Sequence, residues 1–198
     1  SRSVTTYASR VEKALIEAPL YEGYYLYGAH PFSAIDSKFI HAKPSQVDVV
    51  IEPGAPWTVG GATFQTLDLS GHSPGMVGLV TKEGVAFCAD ALLGEAELKK
   101  HSLCFLYDVE KTLLTMDRLA DLEAEVLVLA HGGLCRSPRD LIEKNKQHVL
   151  EASGRILGLF AQGEALSFDM LRQRVSEAFV LKERHPGPFL LNSSVVKA

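Results

Sequence analysis

The chain has 198 residues, of which 46% are hydrophobic and 22% are charged, and its 20 basic and 24 acidic residues give a formal charge of −4. The apolar content is too high for a disordered chain, and no apolar run approaches the ~18 residues of a membrane span. The mildly acidic balance argues against a nucleic-acid-binding groove. Three cysteines without a C-x-x-C pair argue against a disulfide scaffold and favour a reducing, cytoplasmic location.

The first half of the chain is predicted to be mostly β-structure after one opening helix. Apolar residues at helical spacing predict a helix over residues 5–18, which Pro19 ends. The aromatic, glycine-containing stretch 21–32 is predicted to be a loop or an edge segment. Short β-prone runs bounded by Gly- and Pro-containing turns then predict strands at 47–52, 62–69, 76–81 and 85–89.

The second half of the chain is predicted to be mostly helical. A helix is expected at 109–123, a continuous apolar strand at 126–130, and two further helices at about 138–162 and 167–180. Strands that alternate with helices and are followed by a helical tail indicate an α/β or α+β fold.

Three polar residues each stand at the end of a predicted strand. His72 follows the strand at 62–69, Asp90 follows the strand at 85–89, and His131 follows the strand at 126–130. Loops at one rim of a sheet are where functional groups converge, and imidazole and carboxylate are ligands of zinc and iron. The three residues are therefore candidate metal ligands. Packing or surface roles are assigned to the remaining candidates: Cys88, His101, Cys104, Cys135, His148 and His185.

A serine-hydrolase motif overlaps the first of these loops. Residues 71–75 match G-x-S-x-G, and Ser73, Asp90 and His131 follow one another in the triad order of α/β-hydrolases. That motif needs a helix after the serine, whereas the following residues are strand-like. It also needs a backbone N–H on the residue after the nucleophile, and Pro74 has none. The metal-site interpretation is therefore preferred.

The segments TLDLSGHSPGMVGLV (66–80), FCAD (87–90) and VLVLAHGG (126–133) resemble the second, third and fourth signature motifs of the metallo-β-lactamase superfamily. The resemblance implies an α+β fold, an αββα sandwich with two zinc ions, or alternatively iron, at one edge. His72 would bind the first metal, Asp90 would bridge the two metals, and His131 would bind the second. It further implies hydrolysis of an ester or thioester-type bond by metal-activated water, as in a hydroxyacylglutathione-hydrolase-like thioesterase.

The first signature of that superfamily, H-x-H-x-D-H, does not occur in the sequence, where only His30 and His41 precede His72. With Asp90 shared, each metal would keep two protein ligands, fewer than the three that are usual for catalytic zinc. We therefore expect residues 1–135 to form a partial, N-terminally incomplete metallo-β-lactamase-like domain and residues 136–198 a helical C-terminal extension. On this hypothesis the chain alone binds metal weakly or not at all and is inactive.

The expected partner is a small-molecule substrate, with no nucleic acid and no membrane involved. A sandwich sheet stripped of strands exposes an apolar face, so a homo-oligomer is also expected. Two alternatives stay open: a mononuclear-iron sulfur dioxygenase of the same superfamily, and a non-catalytic interaction module.

Overall fold

The computed structural model describes residues 4–33, 35, 42–160 and 165–198. The strands are β1 (Tyr7–Ala8), β2 (Val49–Val50), β3 (Pro56–Val59), β4 (Ala62–Asp68), β5 (Val77–Val80), β6 (Val85–Ala89), β7 (Val126–Leu129) and β8 (Gly133–Cys135). The helices are α1 (Arg10–Glu17), α2 (Leu20–Tyr27), α3 (Glu95–Lys100), α4 (Val109–Asp121), α5 (Pro138–Gly158), α6 (Phe168–Phe179) and α7 (Pro186–Val195).

Strands β3 to β8 form one six-stranded sheet in chain order, and β1 pairs with β2 in a separate two-stranded sheet. Neighbours in the large sheet are antiparallel except for β6 and β7, which run parallel. A parallel pair needs a long crossover, and the segment that contains α3 and α4 supplies it. As a result, β6 and β7 end at the same edge of the sheet, and so do the loops that carry Asp90 and His131.

One face of the large sheet is buried beneath α4 and α5. Ala86 of β6 and Leu127 of β7 are register partners and are both fully buried. They belong to one core cluster with Met116 and Leu119 of α4 and Leu141 of α5. Burial of such aliphatic side chains is the main stabilising term of the fold.

The opposite face of the sheet carries a row of apolar residues in register across four strands: Leu79, Phe87, Val128 and Leu134. Phe87 is 43% exposed and Leu134 is 65% exposed. The expectation of a homo-oligomer that would cover such a face stays a prediction.

The C-terminal helices α6 and α7 are joined by a shielded ion pair. The Arg172 guanidinium lies 2.9 Å from a carboxylate oxygen of Glu183, with only 16% and 12% of the two side chains exposed. Glu183 also accepts a hydrogen bond from the Asn192 side-chain amide, and Arg172 stacks on the ring of Phe189. These contacts fix α7 against α6.

The predicted strands at 62–69, 76–81, 85–89 and 126–130 and the helix at 109–123 are confirmed within one to two residues at each end. The helices predicted at 138–162 and 167–180 are present as α5 and α6. The α+β fold class is likewise confirmed.

The prediction of a loop at 21–32 is wrong, because α2 occupies Leu20–Tyr27. The helix ends at Gly28, which adopts φ +71°, and it buries Leu26 while packing against α7. Tertiary contact with a helix more than 150 residues away stabilises a segment whose own sequence lacks helical periodicity.

The first helix is shorter than predicted, since Ser9 caps α1 by accepting a hydrogen bond from the Glu12 N–H and residues 7–8 form β1. The predicted strand 47–52 is reduced to β2. The elements β1, β3, β8 and α3 were not predicted, and α7 lies within the expected helical extension without predicted bounds of its own. No helix among the described residues is long and apolar enough to cross a membrane.

Candidate metal centre

The three candidate ligands lie in three loops at one edge of the large sheet. His72 lies in the loop between β4 and β5, Asp90 directly follows β6, and His131 lies two residues beyond β7. His72 and Asp90 line one cavity of 270 Å³. Asp90 and His131 form a contact of 3.5 Å between Oδ1 and Nε2. Asp90 therefore contacts His131 and lines the same cavity as His72.

The His72 side chain is held by a backbone carbonyl. Its Nδ1 lies 3.1 Å from the Phe105 carbonyl oxygen, and its ring meets the Phe105 ring edge-on at 5.6 Å. A carbonyl oxygen only accepts hydrogen bonds, so this contact places the proton on Nδ1, and the matching neutral tautomer has its lone pair on Nε2. This is how metal-ligating histidines are commonly oriented.

The His72 loop is anchored by α1. The Ser9 hydroxyl donates to the Gly75 carbonyl at 2.6 Å, and one Glu12 carboxylate oxygen accepts from the Gly75 N–H at 3.0 Å. The same Glu12 oxygen accepts from the Ser73 hydroxyl at 2.6 Å. The Ser73 hydroxyl is thus directed at Glu12, and β5 rather than a helix follows the loop, so the serine-hydrolase alternative has no support in the structure.

Asp90 is placed by an irregularity at the end of β6. The pairing of β6 with β7 shifts register between Phe87 and Ala89, and Ala89 adopts φ +46°. Such irregularities re-aim side chains next to functional sites. Asp90 Oδ1 is buried and has no hydrogen-bond partner among the described residues. Its contact with His131 is an ion-pair distance without hydrogen-bond geometry.

His131 is the outward-facing member of the three, with 66% of its side chain exposed. Its backbone is fixed where two glycines meet. The Gly94 N–H donates to the His131 carbonyl at 2.9 Å, and a Cβ on Gly132, which adopts φ +146°, would lie 2.8 Å from Gly94 Cα. Only glycines allow these two loops to approach so closely.

Three further side chains line the cavity that His72 and Asp90 share: His101, Cys104 and His148. From the sequence alone, all three are assigned to packing or surface positions, and the sequence does not predict that they line a cavity with His72 and Asp90. Cys104 and His148 are 44 residues apart, and no motif signals their contact. Cys88 is fully buried, as expected, while His30 is exposed and contacts Tyr24, and His41 lies outside the described residues.

The donor set fits a metal ion in part. An unpaired buried carboxylate oxygen beside an imidazole, with a second imidazole on the same cavity, is the chemistry of a zinc or iron site. Within the described ranges, however, no group of three or more His, Cys, Asp or Glu side chains is close enough to hold one ion. The described residues therefore present one close pair of donors, Asp90 and His131, with His72 on the cavity that Asp90 also lines.

No family model matches the sequence, and no curated protein matches it. Solved structures do match its fold. A metallo-β-lactamase family protein from Thermus thermophilus superposes with a TM-score of 0.69 at 19% identity, over 98% of this chain. A β-lactamase domain protein from Burkholderia ambifaria gives 0.62 at 16% identity, also over 98% of this chain.

A double mutant of the sec-alkyl sulfatase PisA1 gives a TM-score of 0.55 at 16% identity over 98% of the chain. This chain spans 65%, 58% and 36% of the lengths of the three proteins, respectively. At these identities the likeness concerns the fold. These superpositions show that the chain has the metallo-β-lactamase fold.

Proposed function

We propose that this chain belongs to a metal-dependent hydrolase in which metal-activated water attacks an ester or thioester-type bond. The observation that carries the proposal is Asp90 Oδ1, which is buried, unpaired and 3.5 Å from His131 Nε2. A buried carboxylate oxygen without a partner is costly, and a cation is the partner that would remove the cost.

In this proposal His72 offers Nε2, because the Phe105 carbonyl holds its Nδ1 proton. Asp90 offers Oδ1 toward His131, and His131 offers Nε2 from the solvent side. A bound divalent metal would supply a water of pKa near 7 and polarisation of the substrate carbonyl.

The names of the fold neighbours support hydrolysis in general terms. One is called a β-lactamase domain protein and another a sec-alkyl sulfatase. Folds of this kind host several reactions, so the substrate must be argued from the site itself.

The expected metal affinity is low for the chain alone. Two protein ligands per ion fall short of the usual three, whether the ions are the two zinc ions of the proposal or iron. Equilibrium dialysis against micromolar zinc should therefore leave well below one ion per chain, and near-stoichiometric retention would contradict this part of the proposal.

Because the chain alone is expected to bind metal weakly, and so to be inactive without added metal, the proposal is tested at millimolar zinc or iron(II), with and without EDTA, by hydrolysis of p-nitrophenyl acetate and of an acyl thioester. Asp90→Asn and His72→Ala should each lower the metal-dependent rate by more than ~100-fold, since loss of outer-shell partners alone costs 10–100-fold. His30→Ala, on an exposed histidine away from the cavity, is the matched control and should keep the rate.

Hydrolysis that EDTA does not affect, or that Asp90→Asn leaves unchanged, would refute the proposal. Oxygen consumption with iron(II) and a thiol substrate would favour the sulfur dioxygenase instead. Absence of any metal-dependent turnover at millimolar metal would favour the non-catalytic interaction module.

A further inference from the structure

We infer that the cavity behind His72 and Asp90 receives an uncharged aliphatic chain of the substrate. The inference deepens the proposed function and rests on it for the identification of the bound chain as part of a substrate. It concerns the 270 Å³ space between the loops at the edge of the large sheet, the segment 98–106 and helices α5 and α7, which we call the acyl cavity.

The acyl cavity is walled by aliphatic side chains from separate parts of the chain. Leu98 comes from α3, Leu103 from the segment before α4, Val149 from α5, and Leu191 and Val195 from α7. All lining residues belong to the described part of the chain, and none of them is Lys or Arg. An anionic headgroup would therefore enter without a countercharge, which is strongly unfavourable in such a space.

Two histidines and a cysteine on the wall already have protein partners. The Cys104 Sγ lies 3.6 Å from His148 Nε2, and His101 Nε2 lies 3.3 Å from a Glu97 carboxylate oxygen. Burial raises the pKa of the Cys104 thiol to about 11, so at neutral pH it is an uncharged group, and it lies between His148 and the His101 carbonyl.

The two asparagines on the wall are also engaged. The Asn145 side chain accepts from the Leu93 N–H and donates to the Leu93 carbonyl, both at 2.9 Å. The Asn192 amide donates to Glu183 at 3.0 Å. Because these polar wall groups already have partners in the protein, the interior is an apolar environment, which suits a hydrocarbon better than a sugar or a peptide backbone.

The position of Asp90 indicates how the aliphatic chain of the substrate would be oriented in the cavity. Asp90 lines the acyl cavity and also contacts His131, which faces solvent and does not line it. The bond to be cleaved would lie at Asp90, with its aliphatic side inward and its other substituent toward solvent. A volume of 270 Å³ lies just below the ~300–1,000 Å³ of typical small-molecule sites, so it suits a single medium-length chain.

The test uses neutral n-alkanols from butanol to decanol, which carry the hydrocarbon but neither a metal-binding carboxylate nor a cleavable bond. Binding is measured in EDTA by displacement of a neutral solvatochromic dye from the whole chain. Each added methylene should tighten binding about fourfold until the cavity is full. Affinity that does not change with chain length would overturn the inference.

Two variants locate the binding. Leu103→Trp and Leu191→Trp each fill the cavity from a different wall and should abolish the chain-length dependence, whereas Leu157→Trp, on an exposed position of α5, is the matched control and should keep it. Far-UV circular dichroism identifies any variant that fails to fold. If one of the two cavity variants does not fold, the chain-length dependence of alkanol binding in the other one is the test. Persistence of the dependence in a folded cavity variant would overturn the inference.

This experiment separates the two proposals. Alkanol binding needs no metal and no turnover, so absence of hydrolysis together with chain-length-dependent binding would refute only the proposed function. Metal-dependent hydrolysis with no chain-length dependence of binding would refute only the acyl cavity.

Discussion

Replacement of Gly94 by alanine tests whether the loops after β6 and β7 are as closely packed as the structure shows. Gly94 donates its N–H to the His131 carbonyl at 2.9 Å. A Cβ on Gly94 would lie 2.8 Å from Gly132 Cα and 3.3 Å from that same carbonyl oxygen. The near neighbour is backbone, so it cannot rotate away as a side chain could.

The expected effect is the balance of two opposing contributions. Gly94 has φ −66°, which alanine adopts without strain, and such a substitution normally stabilises by ~0.4–1 kcal/mol through the unfolded chain. Overpacking a tight contact costs ~1–3 kcal/mol. The steric cost is the larger, so Gly94→Ala should lower the free energy of unfolding by about 1–2 kcal/mol.

The assay is urea denaturation at neutral pH, with Gly154→Ala as the matched control. Gly154 lies within α5, and a Cβ there would meet no atom of a neighbouring element within 4 Å, so its replacement should raise the free energy of unfolding by ~0.5–1 kcal/mol. If Gly94→Ala stabilised the protein as Gly154→Ala does, the two loops would not be in contact and the placement of His131 would be wrong.

Three further changes probe contacts on which the site and its surroundings depend. Glu12→Ala removes the acceptor of two hydrogen bonds from the His72 loop and should lower the free energy of unfolding, measured by urea denaturation, by about 2 kcal/mol. An unchanged urea midpoint would mean that α1 does not hold the loop. Glu183→Ala leaves the shielded Arg172 unpaired and should lower the free energy of unfolding by about 3 kcal/mol. The double variant Glu183→Leu with Arg172→Met should restore most of this loss. A double variant no more stable than Glu183→Ala would contradict this. Burial alone would raise the pKa of Asp68, but hydrogen bonds from Ser70 and Arg118 outweigh it and lower that pKa. The lowered pKa contributes stability that is present above about pH 4 and is lost as pH falls through the pKa of Asp68 in the folded protein. Asp68→Asn should therefore make the free energy of unfolding fall less steeply at low pH. An unchanged low-pH slope would refute this role of Asp68.

The candidate ligands could be predicted from the sequence because each follows an uninterrupted or alternating apolar run. Such runs fix the strands, and the loop residues that follow them must lie at the edge of the sheet. Asp90 and His131 meet because β6 and β7 are parallel neighbours, an arrangement that the long crossover containing the helix at 109–121 permits. Local patterns therefore sufficed to place both residues.

The acyl cavity could not be predicted in this way. Its walls combine Leu103 with Leu191, residues from segments that have no strong local pattern. Helix α7 has two prolines and a glycine among its first three residues, and its place is set by the Glu183 contacts and by α2. Such positions depend on tertiary packing between distant segments, which short-range periodicity does not record.

The surroundings of Asp90 argue for a functional rather than a structural role. Ala89 is held at φ +46° by hydrogen bonds on both sides, from the Ala130 N–H to its own carbonyl and from the Ala91 N–H to the Cys88 carbonyl. A left-handed alanine costs ~1–2 kcal/mol, and an unpaired buried carboxylate oxygen costs at least ~1–3 kcal/mol more. Against a total stability of ~5–15 kcal/mol, a strained turn that presents an unsatisfied acceptor is a large expense for packing alone. The same two features are what a cation site requires, a fixed backbone and a free oxygen, and they coincide at the residue that borders both His131 and the acyl cavity.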